Sequence, residues 1–328
     1  MSLPPVEIPL GAIRFNSDSQ KLEYFNGYVW MQIQTFNPDL NSGVRGLTGG
    51  ANNDGPTANV DYITISTTGS ATDFGDFSYG GHYRGQGYAS RTRAVASGGG
   101  THPGYNNAIE YFTISSTGNS INFGDISQTS SLPRECSNAT RGITYVGQNT
   151  NKIEYTTISS TGNSLDFGDL TATISEHTGF ASPTRGFCQL GYGSPIGGTN
   201  VINYVQIATT GNATDFGDTT TANGSAAGGS NATRGVIAAF YQNYRAVEYV
   251  TMSTLGNSVD FGYLTVASKF FRANMTSPTR AVIAGGRGNS NAMEYISIQT
   301  GGDSVDFGDL TQIFAYHMGT SNGHGGLG

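Results

Sequence analysis

The stretch whose reading decides the fold is residues 140–171, TRGITYVGQNTNKIEYTTISSTGNSLDFGDLT. Three parts of it, around RGITY (141–145), KIEYTTI (152–158) and LDFGDL (165–170), are short and rich in Ile, Thr, Tyr and Phe, and Gly, Asn or Ser clusters bound them. That is the chemistry of β-strands, and no helical period runs through it. Between the second and third parts, Thr161-Gly162-Asn163 supplies residues suited to a tight hairpin, because Gly lacks a Cβ and Asn tolerates the left-handed region.

The same pattern occurs six times. Its clearest mark is the tripeptide that begins at Phe74, Phe123, Phe167, Phe216, Phe261 and Phe307, with spacings of 49, 44, 49, 45 and 46 residues; it reads FGD five times and FGY at Phe261. Upstream of each lies a segment bearing Tyr62, Tyr111, Tyr155, Tyr204, Tyr249 or Tyr295. Further upstream comes one marked by Arg45, Arg93, Arg141, Arg185, Arg234 or Arg280. A fourth strand falls in the variable stretch before the next Arg. Four strands per repeat of about 46 residues match the blade of a β-propeller, whose tandem sheets bury their faces against one another. The expected fold is therefore all-β, a β-propeller of six four-stranded blades over residues 41–328, preceded at 1–40 by a small N-terminal β-hairpin module and linker. Within that module Asn26-Gly27 reads as a type I′ turn and Trp30, the only Trp, as a packing anchor. The alternative is a composite seventh blade from the two termini, since KLEYF (21–25) echoes AIEYF (108–112) and SNGHGGLG (321–328) aligns loosely with SPTRAVIAGG.

Composition narrows the function. The chain has 328 residues, 48 of them Gly, 12% charged and 11% aromatic, with a net charge of -7. Gly without a Gly-X-Y register excludes collagen, and the aromatic content argues against wholesale disorder. Sixteen basic residues spread along the chain argue against a nucleic-acid surface. No apolar run long enough to cross a membrane and no secretion signal are visible, so membrane insertion is not expected. Cys136 and Cys188 have no ligand-spaced partners.

Fifteen of the 23 acidic residues sit at three repeat positions, which predicts structural work common to every unit, with each repeat Arg pairing with a carboxylate of its own or the adjoining blade. Among the singular carboxylates, Glu135 and Glu176 could form an acid and base pair, but read better as solvated loop positions. The five histidines show no metal-binding spacing. No catalytic residue, metal site or cofactor is expected.

The unit TRGV, GG, EYxTISTTGN, DFGDLT resembles the repeats of virion structural and tail-fibre-like proteins of tailed bacteriophages, particularly cyanophage types. GAIRFNSDSQKLEYFNGYVW (11–30) is similar to a short module of phage fibres. Departures are Tyr263 for the last Asp of FGD, Asn122 and Asn203 for acids, and His324 where an Arg would stand. The resemblance implies a non-enzymatic component of the virion, assembled in the host cytoplasm in many copies. Its N-terminal module would hold other virion proteins, and its propeller would display loops to a host-surface glycan or protein. The alternative is a glycan-degrading propeller enzyme of the virion, which needs converging singular carboxylates. In an antiparallel blade the loops that differ from unit to unit share one face, while the Thr-Gly-Asn turns open on the other. His102, Tyr105, Tyr192, Tyr241, Tyr244 and Arg287 lie on those variable loops and are the expected binding residues.

Overall fold

The computed structural model describes residues 8–17, 21–32, 44–52, 55–82, 86–101, 104–147, 150–193, 197–220, 222, 224–241, 243–266, 271–288 and 290–328. They fall into two compact units, Met1–Ser42 and Gly43–Gly328.

The first unit is a three-stranded antiparallel sheet of Ile13–Asn16, Lys21–Phe25 and Trp30–Gln32. Trp30 packs on Phe25 at 5.5 Å between ring centroids, and the Arg14 guanidinium lies 4.1 Å over the indole. Arg14 also pairs with Glu23 at 2.8 Å. The turn after Phe25 differs from the expected two-residue type. Phe25 faces Trp30, so the loop holds four residues, and the Asn26 side chain accepts from the N–H groups of Tyr28 and Val29. An Asx turn has replaced the left-handed Asn that a type I′ turn requires.

Among the described residues the second unit contains six four-stranded antiparallel sheets in a propeller-like all-β arrangement. In the second sheet the order is Gly87–Ala89, Arg93–Ser97, Ala108–Thr113, Ile121–Asp125. The strand from the variable stretch thus comes first in its sheet and pairs with the Arg strand that follows it, one position later than the sequence reading assigned it. The shift has a consequence at the end of the chain. Met318–Ser321 has no seventh Arg strand to pair with and instead completes the first sheet beside Arg45–Asn52. Residues after it form a turn and a short 3-10 helix, Gly325–Leu327, and KLEYF belongs to the first unit. Among the described residues the termini therefore build no seventh sheet. The first strand of each sheet touches those of its two neighbours, and Met318–Ser321 touches both Ala273–Thr276 and Gly87–Ala89, so the succession returns on itself.

Three repeat elements join each sheet to the next. In the first, the repeat Arg gives Nη1–H to backbone carbonyls at the end of the next sheet's third strand: Arg45 to Ile114, Arg93 to Ile158, Arg141 to Ile207, Arg185 to Met252, Arg234 to Ile298 and Arg280 to Ile65, at 2.8–3.1 Å. Each guanidinium lies 4.5–5.1 Å over the repeat Tyr of its own sheet. The expected carboxylate partner is absent because the acids are used elsewhere. Asp61, Glu110, Glu154, Asn203, Glu248 and Glu294 accept the N–H of Thr311, Ser78, Ser127, Thr171, Thr220 and Thr265, each from the preceding sheet, at 2.8–3.1 Å.

The third link is made by DFGD and TGN. The repeat Phe is the extra residue of a β-bulge opposite the acid, as at Ile109/Glu110, and the bulge turns it into the core. Its carbonyl accepts from the Gly of the next sheet's turn, as in Gly118 N–H to Phe74 O at 2.8 Å and, across the last junction, Gly69 N–H to Phe307 O at 2.7 Å. The Asn of the turn accepts on Oδ1 from an amide of the preceding sheet's fourth strand, Asp76 N–H to Asn119 Oδ1 at 3.1 Å. The outer strand edge is thereby covered. Gly75 has φ +147°, and a Cβ there would meet the Gly118 carbonyl oxygen at 2.4 Å, so the motif needs glycine.

Arg280 carries the Arg link across the junction where the last sheet meets the first, with a second bond to Ser66 O at 2.9 Å. Arg280→Ala is expected to lower the free energy of urea unfolding by about 2–4 kcal/mol, the range of charge-assisted bonds plus a ring contact. Arg280→Lys should recover less than half, since an ammonium does not stack flat on Tyr295.

Candidate functional site

Strand direction places the second-to-third loops and the links from one sheet to the next at one end of the ring, with the Thr-Gly-Asn turns at the other. At the variable end Tyr105 and Tyr192 stand on two-residue ribbons, Gly100–Thr101 with Gly104–Tyr105 and Tyr192–Gly193 with Gly197–Gly198. Both are about half exposed, at 51% and 54%. Tyr241 and Tyr244 lie in the loop before Ala246–Thr251 and are exposed, with Tyr241 N–H bonded to Gly224 O at 3.0 Å. Arg287 is exposed in the loop before Ala292–Ser297. Tyr79 is exposed on the link between the first and second sheets. His102 lies outside the described residues.

The centre of the ring holds a second group of residues, of which the sequence pointed to Glu135 and His324 alone. The first strands align as GQGYAS, PRECSN, HTGFAS, AAGGSN, RANMTS and HMGTSN, from residues 85, 133, 177, 226, 272 and 317. Their small residues bring backbones close. At Gly179 a Cβ would sit 2.7 Å from Glu135 O, and at Gly319 it would sit 2.7 Å from the Ala273 Cβ. What large side chains remain fill the axis in layers. Leu132, Phe271 and Tyr316 form one apolar cluster with Ala51 and Ala315. Arg134, Arg272 and His317, all buried, line one cavity, while His177 is buried with its Nε2 3.1 Å from Tyr145 O. Gln86, Glu135 and Asn274 line a cavity of about 40 Å³ below them. Then Ser137 and Ser230 donate to Ala89 O and Ala181 O at 2.8 and 2.7 Å, and Ser321 donates to Thr276 O. His324 closes the far end, its Nε2 2.8 Å from Ala89 O.

The backbone entering this stack is strained. Glu176, Ser225, Phe271 and Tyr316 have φ of +55°, +58°, +59° and +57°. A run of bonds holds them there: Ser225 N–H to Glu176 O, Phe271 N–H to Ser225 O and Tyr316 N–H to Phe271 O. Sustained left-handed backbone at non-glycine positions requires such surroundings.

Glu135 is not a solvated loop residue. It is fully buried in Arg134–Ser137, and burial pushes its carboxyl well above the ordinary range, against the pull of the Ser97 and Thr144 hydroxyls and the Arg134 charge. Glu176 accepts from Ser225 Oγ at 2.7 Å. His82 is buried against Glu110 at 2.8 Å and touches Gly98 O. Burial raises the Glu110 carboxyl, but the His82 bond and charge prevail and lower it overall. Burial pushes the Cys136 thiol up to about 12 and Cys188 well above its usual value, which leaves both unreactive. Among the described residues no group of three or more His, Cys, Asp or Glu could hold a metal ion.

No protein-family model matches the chain, and no curated protein matches it.

Burial holds His177 and His317 down to about 3 and His324 to about 4, with nearby arginines adding to the effect. A histidine lowered in the folded state contributes stability that is complete above its unfolded value, near 6.5, and is lost as pH falls through the folded one. Stability should therefore drop between pH 6.5 and about 3. In His177→Gln the slope of unfolding free energy against pH over that range should be shallower by about 1.4 kcal/mol per pH unit, read from urea titrations at several pH values.

Proposed function

We propose that the chain is a six-bladed β-propeller that works without catalysis, as a structural and adhesive component of a tailed-phage virion. The observation that carries the reading is a division of labour between residue types. The acids that precede the repeat tyrosines are taken up in links between sheets, whereas the variable end exposes Tyr79, Tyr105, Tyr192, Tyr241 and Tyr244. Tyrosine offers flat, amphipathic area with few rotamers to immobilise, which suits stacking on sugar rings or packing against a protein. The singular acid Glu135 lies in the axial stack and is no part of that surface.

The first unit supports attachment to a particle. Ile13, Tyr24 and Met31 pair across its three strands, and Phe15 pairs with Leu22 on the same face. All five are exposed, Ile13 and Phe15 to 65% each. A three-stranded sheet with an uncovered apolar face is marginal alone and gains stability by docking. In this reading the face sits on another virion protein and the propeller points its tyrosine loops at the host surface, with glycan as the ligand that best fits stacking aromatics.

The test is competition. Purified protein should block adsorption of particles to host cells, and the triple variant Tyr105→Ala, Tyr241→Ala, Tyr244→Ala should need about tenfold more protein for the same block, with an unchanged melting temperature. Equal potency of the variant would place binding elsewhere. Release of soluble sugar from host envelope by the wild-type protein would overturn the non-catalytic reading.

A further inference from the structure

We propose that the axis of the ring binds a small monovalent anion of halide size, in the layer where Arg272, His317 and Asn274 converge. The layer encloses a cavity of about 10 Å³, which these three residues line together with Gln86, Arg134 and Thr178. Asn274, His317 and Arg272 are more than nine-tenths buried, at 7%, 2% and 3% exposure. Both amide atoms of Asn274, both ring nitrogens of His317 and the Nε of Arg272 have no hydrogen-bond partner. Leaving so many buried polar atoms unmatched costs about 1–3 kcal/mol each, so a native occupant is called for.

The chemistry of the lining selects the sign of that occupant. Arg272 gives one Nη–H to Glu294 at 2.5 Å and another to Ile283 O at 3.2 Å, which leaves its Nε–H as the edge still to be matched. The Asn274 amide has two donors and neutral His317 has one. No carboxylate lines this cavity. Glu135 faces the adjoining one, where burial favours its neutral form. The charges of Arg134 and of Arg272, the latter shared with Glu294, also weigh on His317 and help burial to hold it down to about 3. A cation is thus disfavoured.

Volume selects the size. A cavity of about 10 Å³ admits about one water-sized body. Tetrahedral oxyanions and carboxylates do not fit; among anions only a single atom, as in a halide, comes close to that size. Donors from separate strands, Arg272 and Asn274 of the sixth sheet and His317 beside the closing strand, would then share one ion at the place where the last strand joins the ring.

Two measurements on the full chain test the site. Crystals soaked in sodium bromide should show an anomalous peak on the axis within hydrogen-bond distance of Asn274 Nδ2 and Arg272 Nε. In solution, the folded-to-unfolded ratio should rise with bromide, about 100-fold at a hundred times the dissociation constant, and should not rise in sodium gluconate of equal ionic strength, whose anion is too large. Asn274→Leu, apolar and of similar volume, should fold and lose most of the bromide dependence. A bromide-free axis, or equal stability in the two salts, overturns the proposal; both measurements decide it on the wild-type chain should the variant fail to fold.

Discussion

A guanidinium stacked on a tyrosine, giving its N–H groups to carbonyls of the neighbouring sheet, is the interaction on which the rest of the ring depends. The geometry recurs at six junctions, from Arg45 reaching Ile114 to Arg280 reaching Ile65. The contact does three things at once. It satisfies carbonyls where the third strand ends, it fixes the repeat Tyr edge-on to the repeat Phe, as at 6.0 Å for Tyr155 and Phe167, and it sets the spacing between sheets. Once that spacing is fixed, the carboxylate before five of the six tyrosines, and Asn203 before Tyr204, meets a Ser or Thr of the preceding sheet, and the FG bulge meets the next turn. Burial of the aromatic stack then excludes water from these bonds, which strengthens them.

Much of this was legible in the residues. The six repeats and the four strands per unit follow from periodicity and residue type alone. The partners did not follow. Arg280 bonds backbone carbonyls, and a carbonyl carries no side-chain signature, so pairing with a carboxylate was the natural but incorrect expectation. The position of the fourth strand was missed by one place for a related reason: Gly87–Ala89 is only three residues long and Ala227–Ser230 is made of small residues, with no apolar alternation to assign them to one neighbour rather than the other.

The axis was hidden by its singularity. Repeat positions reinforce one another in a sequence, whereas Arg134, His177, Arg272 and His317 each occur in a variable stretch. A signal existed: the residue just before the first strand is His177, Arg272 or His317 in three sheets. Repetition supplies the frame, and the places where it lapses supply chemistry, with the exposed tyrosines at one end and the buried polar layers at the centre. Of the expected loop residues, Tyr105, Tyr192, Tyr241, Tyr244 and Arg287 stand at the variable end.

Met318–Ser321 closes the ring by completing the first sheet. Native-state hydrogen exchange of the full chain reads that closure. The amides of this strand that bond to Arg45–Asn52 should exchange only through global unfolding, with the same opening free energy as those of Arg141–Tyr145. Exchange of residues 318–321 at the rate of an open loop, while the central sheets stay protected, would contradict closure by the last strand.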